Sequence, residues 1–346
     1  MRYDAFLLVS FGGPERPEDV HPFLANVTRG RGVPPARLAE VAQHYLSFGG
    51  VSPINEQCRQ LLAALGTEFA GAGVDLPLYW GNRNWHPMLH ETLLRMRNDG
   101  VRRAIAFVTS AYGSYSSCRQ YLDDLATARA ALGDAAPVID KIRHFHDDPG
   151  FVEPHADAVR AALTTVDADR LVFTAHSIPV SMARSAGPDG GRYEAQLRET
   201  ARLVAAAAAP GLPWDLVWQS RSGPPHVPWL EPDVDDHLAE LAAAGSTGVV
   251  VSPIGFISDH LEVVWDLDTE AAATAKRLGL GYARAATPGT DPRFVAMVRR
   301  LVQERLNGTS PQHRLGTIKV WNTCPGHCCP APPQARPREA RHDPGP

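Results

Sequence analysis

VVVSPIGFISDHLEVVWDLDTEAAATA, residues 249–275, is the stretch whose reading decides the fold. Val249-Val250-Val251 is a β-branched apolar run, which predicts a buried parallel strand. A Pro-Ile-Gly-Phe turn follows, and Ser258-Asp259 predicts the cap of a helix. That helix carries Glu262, Asp266 and Glu270 at i, i+4 and i+8, so three acids share one face. Like charges at this spacing cost roughly a few tenths of a kcal/mol per pair. A ladder of hard oxygen ligands for a divalent cation accounts for that cost. A solvated acidic face near a helix N-terminus, where the dipole favours acids, accounts for it as well. Spacing alone leaves both readings open.

The rest of the chain sets the context. Its 346 residues predict two domains of roughly 150 residues each. Hydrophobic residues are 44% and charged residues 21%, the composition of a globular protein. The net charge of -4 gives no footprint for nucleic acid. No apolar run approaches the ~20 residues of a membrane span. The N-terminus enters a strand, Ala5-Phe6-Leu7-Leu8-Val9, without a signal-peptide layout, so a cytoplasmic protein is expected. In that reducing compartment the five cysteines do not predict disulfides. Three of them, Cys324, Cys328 and Cys329, fall within six residues, which points to metal or cluster ligation.

Strand and helix signals alternate along the chain. Strands are predicted near residues 3–10, 76–81 and 104–109, with helices near 57–70, 88–98 and from 121 onward. The pattern resumes with a helix at 154–163, strands at 169–174 and 214–219, and helices at 193–209 and 234–244. After the stretch at 249–275 come a strand at 280–285 and a helix at 292–306. Such alternation predicts α/β architecture: two doubly wound, Rossmann-like domains with parallel sheets facing each other. The expected domains are 1–150 and 151–307, followed by a tail, 308–346, whose Pro-rich end is expected to be disordered.

There is no phosphate-binding G-x-x-x-x-G-K-[ST], no G-x-G-x-x-G after a strand and no G-x-S-x-G elbow. Polar residues just past strand ends therefore matter most, because open α/β sheets bind ligands there. His176 directly follows a predicted strand. Its imidazole suits proton acceptance or metal ligation. With the acidic helix it forms a candidate site for a divalent transition metal. The basic loop Thr28-Arg29-Gly30-Arg31-Gly32 suits carboxylates or phosphates, or is simply solvated.

Four stretches together resemble the ferrochelatases, which insert ferrous iron into porphyrins. They are Gly49-Gly50-Val51-Ser52-Pro53-Ile54-Asn55, Thr174-Ala175-His176-Ser177-Ile178-Pro179, Gln219-Ser220-Arg221-Ser222-Gly223-Pro224-Pro225 and Ser252-Pro253-Ile254-Gly255-Phe256-Ile257-Ser258-Asp259-His260-Leu261-Glu262. The resemblance covers about residues 1–305. It implies two domains with parallel four-stranded sheets around a cleft. Across that cleft His176 and Glu262 would face each other, jointly taking pyrrole protons and handling the metal. Asp266 and Glu270 would continue the acidic line outward, on a helix that contains a π-type widening. Arg29, Ser52 and Tyr121 would hold substrate propionates. Phe11 stands where some relatives carry a tyrosine that approaches the iron, so it would only pack on the macrocycle. Asn84 stands where some have histidine.

Some members of the family also carry a [2Fe–2S] cluster on one body cysteine and three tail cysteines. Cys118, Cys324, Cys328 and Cys329 match that set. A zinc site or reactive thiols are the other readings. The resemblance implies coproporphyrin III as substrate, with Fe²⁺ as the inserted ion and a monomer favoured. Protoporphyrin IX is the alternative substrate. A cobalt chelatase or a non-catalytic haem-binding protein are rival classes.

Overall fold

A computed structural model describes residues 3–30, 32–223 and 226–332. The Pro-rich end of the tail, Arg31 and the Pro224-Pro225 pair lie outside the described residues. The first half runs β1 (Ala5–Ser10), α1 (Val20–Val27), α2 (Pro35–Ser47), α3 (Ile54–Gly71), β2 (Leu78–Asn82), α4 (Leu89–Asn98), β3 (Arg103–Val108), α5 (Gln120–Leu132) and β4 (Val138–Lys141). The second half runs α6 (Pro149–Leu163), β5 (Arg170–His176), α7 (Val180–Arg184), α8 (Arg192–Ala208), β6 (Trp214–Gln219), α9 (Val234–Ala243) and β7 (Gly248–Ser252). Then α10 (Leu261–Val263) runs through a π-helical stretch, Val264–Ala271, into α11 (Ala272–Leu278), followed by β8 (Gly281–Arg284) and α12 (Pro292–Asn307).

Two parallel four-stranded sheets result, in the orders β2-β1-β3-β4 and β6-β5-β7-β8. Every residue of β1 and β7 is buried, as strands covered on both faces require. In each sheet the strand order reverses beside β1 or β5, and these switch points create crevices beyond the strand ends.

The two halves are closely joined. α12 packs on α3, α6 and β3, and Arg299 meets Glu68 at 2.9 Å. Phe107, Phe145, Phe151 and Phe294 form one aromatic group, with Phe107 stacked on Phe145 at 5.0 Å. The Tyr112 hydroxyl donates to the Ile254 carbonyl at 2.7 Å, linking β3's exit to the turn after β7. No helix among the described residues is long and apolar enough to cross a membrane.

Local features differ from the sequence reading. β4 was not expected; it is a short edge strand of mixed polarity, with no alternation to betray it. α6 begins at Pro149, not 154, because the Asp148 side chain accepts the Gly150 N–H at 3.0 Å and caps it. Ser258-Asp259 does not cap the helix that carries Glu262: His260 occupies the cap position, and Asp259 instead pairs with Arg284 at 3.0 Å.

Candidate active site

β5 ends at His176 and β6 at Gln219, and the two residues are paired in register. The turn after β7 must fold tightly against β5 to bring its helix alongside. Gly255 permits this: a Cβ there would stand 2.7 Å from the Ala175 Cα, while its N–H donates to the Thr174 carbonyl at 3.0 Å. The N-terminal half supplies the missing cap. Ser52 Oγ accepts the Leu261 N–H at 3.3 Å, satisfying one of the donors that a helix start leaves orphaned.

The His176 ring is fixed by its surroundings. Nδ1–H donates to the Ser177 carbonyl at 2.5 Å, and the Tyr193 hydroxyl donates to the His176 carbonyl at 2.9 Å. Ser177 is anchored in turn, its hydroxyl donating to the Leu230 carbonyl at 2.8 Å. In the neutral ring this leaves the lone pair on Nε2. That atom lies 3.8 Å from Glu262 Oε2, and both side chains are partly open to solvent, 34% and 45%. Bonds of about 2.0–2.2 Å to nitrogen and oxygen let a single cation bridge such a gap.

Asp266 stands one step along the helix. It accepts hydrogen bonds from Gln219 Nε2 at 3.2 Å and from the Ser220 hydroxyl. Thr174 donates to Gln219 Oε1 at 2.8 Å, which orients the amide. Ser220 adopts a left-handed φ of 59°, a conformation held only where the surroundings impose it. Burial raises the Asp266 carboxyl to about 7; the Ser220 bond opposes this and the Glu262 charge adds to it. Glu270 lies farther out and is exposed.

Glu262, Asp266 and Glu270 line one cleft of about 300 Å³ with Asp233 and Asp235. α2 also lines the cleft, and its His44 stacks on Trp265 with ring centres 4.0 Å apart. Burial raises Asp233 to about 6. Acids held near neutral pKa can exchange protons for an arriving cation.

Sequence reasoning missed Gln219 and Ser220 as partners of Asp266, although both sit in a stretch that carried the resemblance. It also passed over His260 and α2. Burial pushes the His260 imidazole down to about 4, with His176 adding to the effect, so it is neutral beside the pair.

The residues expected to hold the substrate are dispersed. Arg29 is exposed and donates to Asn26 Oδ1 at 2.7 Å. Ser52 is buried at the helix cap, and Tyr121 is buried in the N-terminal core under the Arg83 guanidinium, 4.6 Å from its ring. Neither Ser52 nor Tyr121 is among the residues lining the cleft of Glu262, Asp266 and Glu270. Phe11 follows β1 and packs edge-on against Phe23 at 6.3 Å. Asn84 braces it through its N–H to the Phe11 carbonyl at 3.1 Å.

A second cluster gathers the cysteines. Cys118 lies in a π-helical turn, Tyr115–Arg119, after β3, and the tail carries the other three across to it. Cys328 and Cys329 sulfurs are 3.6 Å apart, and Cys324 contacts both Cys118 and Cys328. All four line a space of about 180 Å³ with Trp321 and Lys141. The Cys118 and Cys328 contacts draw the Cys324 thiol down, favouring a thiolate within the cluster. The Gly187 N–H points at Cys329 Sγ, 3.1 Å away. Cys58 is remote from this set in sequence and buried in the core, and burial pushes its thiol up to about 11.

The family model for ferrochelatase matches residues 3–306. A coproporphyrin III ferrochelatase of Nocardia farcinica is 56% identical, covering 98% of this chain and 99% of its own. One from Streptomyces coelicolor is 55% identical, covering 95% of this chain and 94% of its own. One from Mycolicibacterium smegmatis is 55% identical, covering 92% and 95%. Among solved structures, a sirohydrochlorin chelatase of Bacillus subtilis subspecies spizizenii, in complex with cobalt, superposes with a TM-score of 0.51 at 13% identity. That match covers 91% of this chain and 100% of the other, and shows a shared fold.

Proposed function

Because the chain belongs to the ferrochelatase family, we propose that it inserts Fe²⁺ into coproporphyrin III, giving iron coproporphyrin in haem biosynthesis. The observation that carries this reading is the facing pair, His176 Nε2 and Glu262 Oε2, with Glu262 lining the same cleft as Asp266 and Glu270. The names of the full-length relatives support the porphyrin.

Insertion replaces two pyrrole N–H protons with one dication, so two protons must leave as the iron enters. His176 and Glu262 jointly accept protons and receive the metal. His176 offers Nε2 because Ser177 occupies Nδ1–H. Asp266 and Glu270 strip and guide the hydrated ion toward the pair, exchanging protons for it. Arg29 grips a propionate by a charge-assisted bond, while Phe11 packs on the ring. Ser52 and Tyr121 serve as further propionate anchors, and Ser52 also caps the helix that carries Glu262. A site that holds the ring bent, with its nitrogens turned outward, lowers the barrier by differential binding.

The four gathered thiols match the ligand number of a [2Fe–2S] cluster, and the space between them is lined by all four. Cys118, Cys324, Cys328 and Cys329 would hold it, and its bonds would pin the tail to the body. Zinc is the competing occupant. Two irons and two acid-labile sulfides per chain, with visible absorption, would support the cluster; one zinc without colour would replace it. Four carboxylates keep coproporphyrin in water, which suits a cytoplasmic monomer; fractionation and size-exclusion chromatography test both points.

An anaerobic assay with Fe²⁺ and either coproporphyrin III or protoporphyrin IX tests the activity. Faster metallation of coproporphyrin III supports the proposal. Preference for protoporphyrin IX would move the enzyme to the other substrate, and turnover of neither would remove the activity.

A further inference from the structure

The first turn of α8 touches both chemical centres. Arg192 opens the helix, and the charges of Cys324, Cys328 and Cys329 act on its guanidinium. Its guanidinium lies 4.2 Å from the Trp321 ring centre and donates through Nη1 to the Lys319 carbonyl at 3.0 Å, so it grips the tail that delivers those cysteines. Gly187, whose N–H reaches Cys329, packs directly on Arg192: a Cβ there would stand 2.7 Å from the Arg192 Cβ.

The next residue contacts the other centre. Tyr193 is buried, its ring stacks on Trp218 with centres 5.9 Å apart, and its hydroxyl donates to the His176 carbonyl. One turn on, Gln196 accepts the Gly113 N–H at 2.8 Å, holding the loop that leads to Cys118. A turn later, Glu199 accepts the Thr317 N–H of the tail at 2.7 Å. Tyr112, in the Cys118 loop, meets the Tyr193 ring edge-on at 6.4 Å and donates to Ile254, ahead of Glu262.

A helix backbone is stiff, and adjacent residues on it cannot shift independently. We infer that Arg192 and Tyr193 couple the cysteine centre to the active site, with Tyr193 a positioning residue that sets His176 according to how the tail is docked. This rests on the ferrochelatase reading and extends it. A loosened tail frees Arg192, turns the start of α8 and withdraws the phenol from the His176 carbonyl. The imidazole then leaves its alignment with Glu262, although no group that touches substrate has changed.

The test is a double-mutant cycle on the full-length holoprotein with Tyr193→Phe and Arg192→Gln, measuring Fe²⁺ insertion, porphyrin KM, the pH profile of kcat and the visible absorption of the cysteine centre. Loss of one net buried hydrogen bond corresponds to about fivefold in rate. Each single variant is expected to lower kcat by about that factor, leave porphyrin KM unchanged and shift the acid limb of the profile in the same direction. The double variant is expected to be no slower than either single variant. Multiplying effects, or an Arg192→Gln protein with unchanged kcat, would overturn the coupling. If Arg192→Gln loses the visible absorption, Arg192→Lys, which keeps the charge, takes its place in the cycle. Wild-type protein without insertion activity would instead refute the underlying function.

Discussion

His176 Nε2 faces Glu262 Oε2 across 3.8 Å, one residue ending β5 and the other opening the helix after β7. Neither strand alone makes a site; the Gly255 turn brings them together. Groups that act as one unit lose their function together. His176→Ala and Glu262→Ala should therefore each lower kcat by about 10²–10⁴-fold, the usual range for acid–base groups. The double variant should be little worse than either. Steady-state metallation rates check this; fully multiplying losses would mean that the two act separately.

Asp266 should make metal uptake depend on pH near neutrality. Burial raises its folded carboxyl to about 7, whereas the unfolded chain would titrate in the ordinary carboxylate range, near 3.9. The folded state thus holds the proton more tightly. Its stabilising contribution is complete below the unfolded value and is lost as pH rises toward 7. Asp266→Asn should be more stable than wild type at pH 8, with the advantage gone at pH 4. The carboxylate must ionise to hold a cation. Apparent metal affinity should therefore rise between pH 6 and 8 in the wild type, and this rise should be flattened in Asp266→Asn. Thermal melts and metal titrations across pH provide the check.

The Arg143 guanidinium meets Glu304 through two bonds, at 2.8 and 3.1 Å, with both side chains buried. Removing one partner strands a buried charge, at a cost of about 3–5 kcal/mol. Asp148, 3.6 Å away, compensates in part. Glu304→Ala should lose about 3 kcal/mol in urea unfolding while porphyrin affinity stays within a few-fold. A loss below 1 kcal/mol would show that Asp148 suffices.

Cys328→Ser should abolish visible absorption if the four-thiol centre holds a cluster. It should also make the tail beyond α12 sensitive to protease, because the centre ties that tail to Cys118. Persistence of both the colour and the protection would remove Cys328 from the ligand set.

Much of this architecture was legible in the sequence, because parallel strands buried on both faces read as unbroken apolar runs, as in residues 249–251. The acid ladder was legible in its spacing: Glu262 in α10, with Asp266 and Glu270 in the π-helical stretch Val264–Ala271, lines one cleft. What remained hidden depends on partners distant in sequence. Ser52 caps a helix 209 residues away, and Asp259, expected as that cap, pairs with Arg284. Gln219 and Ser220 acquire a role only when β6 lies beside β5. β4 carries too few residues and too little pattern to announce itself.

The most direct measurement is anaerobic insertion of Fe²⁺ into coproporphyrin III by wild type and His176→Ala at matched porphyrin occupancy, with binding followed by fluorescence quenching. The account predicts rapid metallation by the wild type, and porphyrin bound but not metallated by the variant. Equal metallation by both would contradict the central place given to the His176–Glu262 pair.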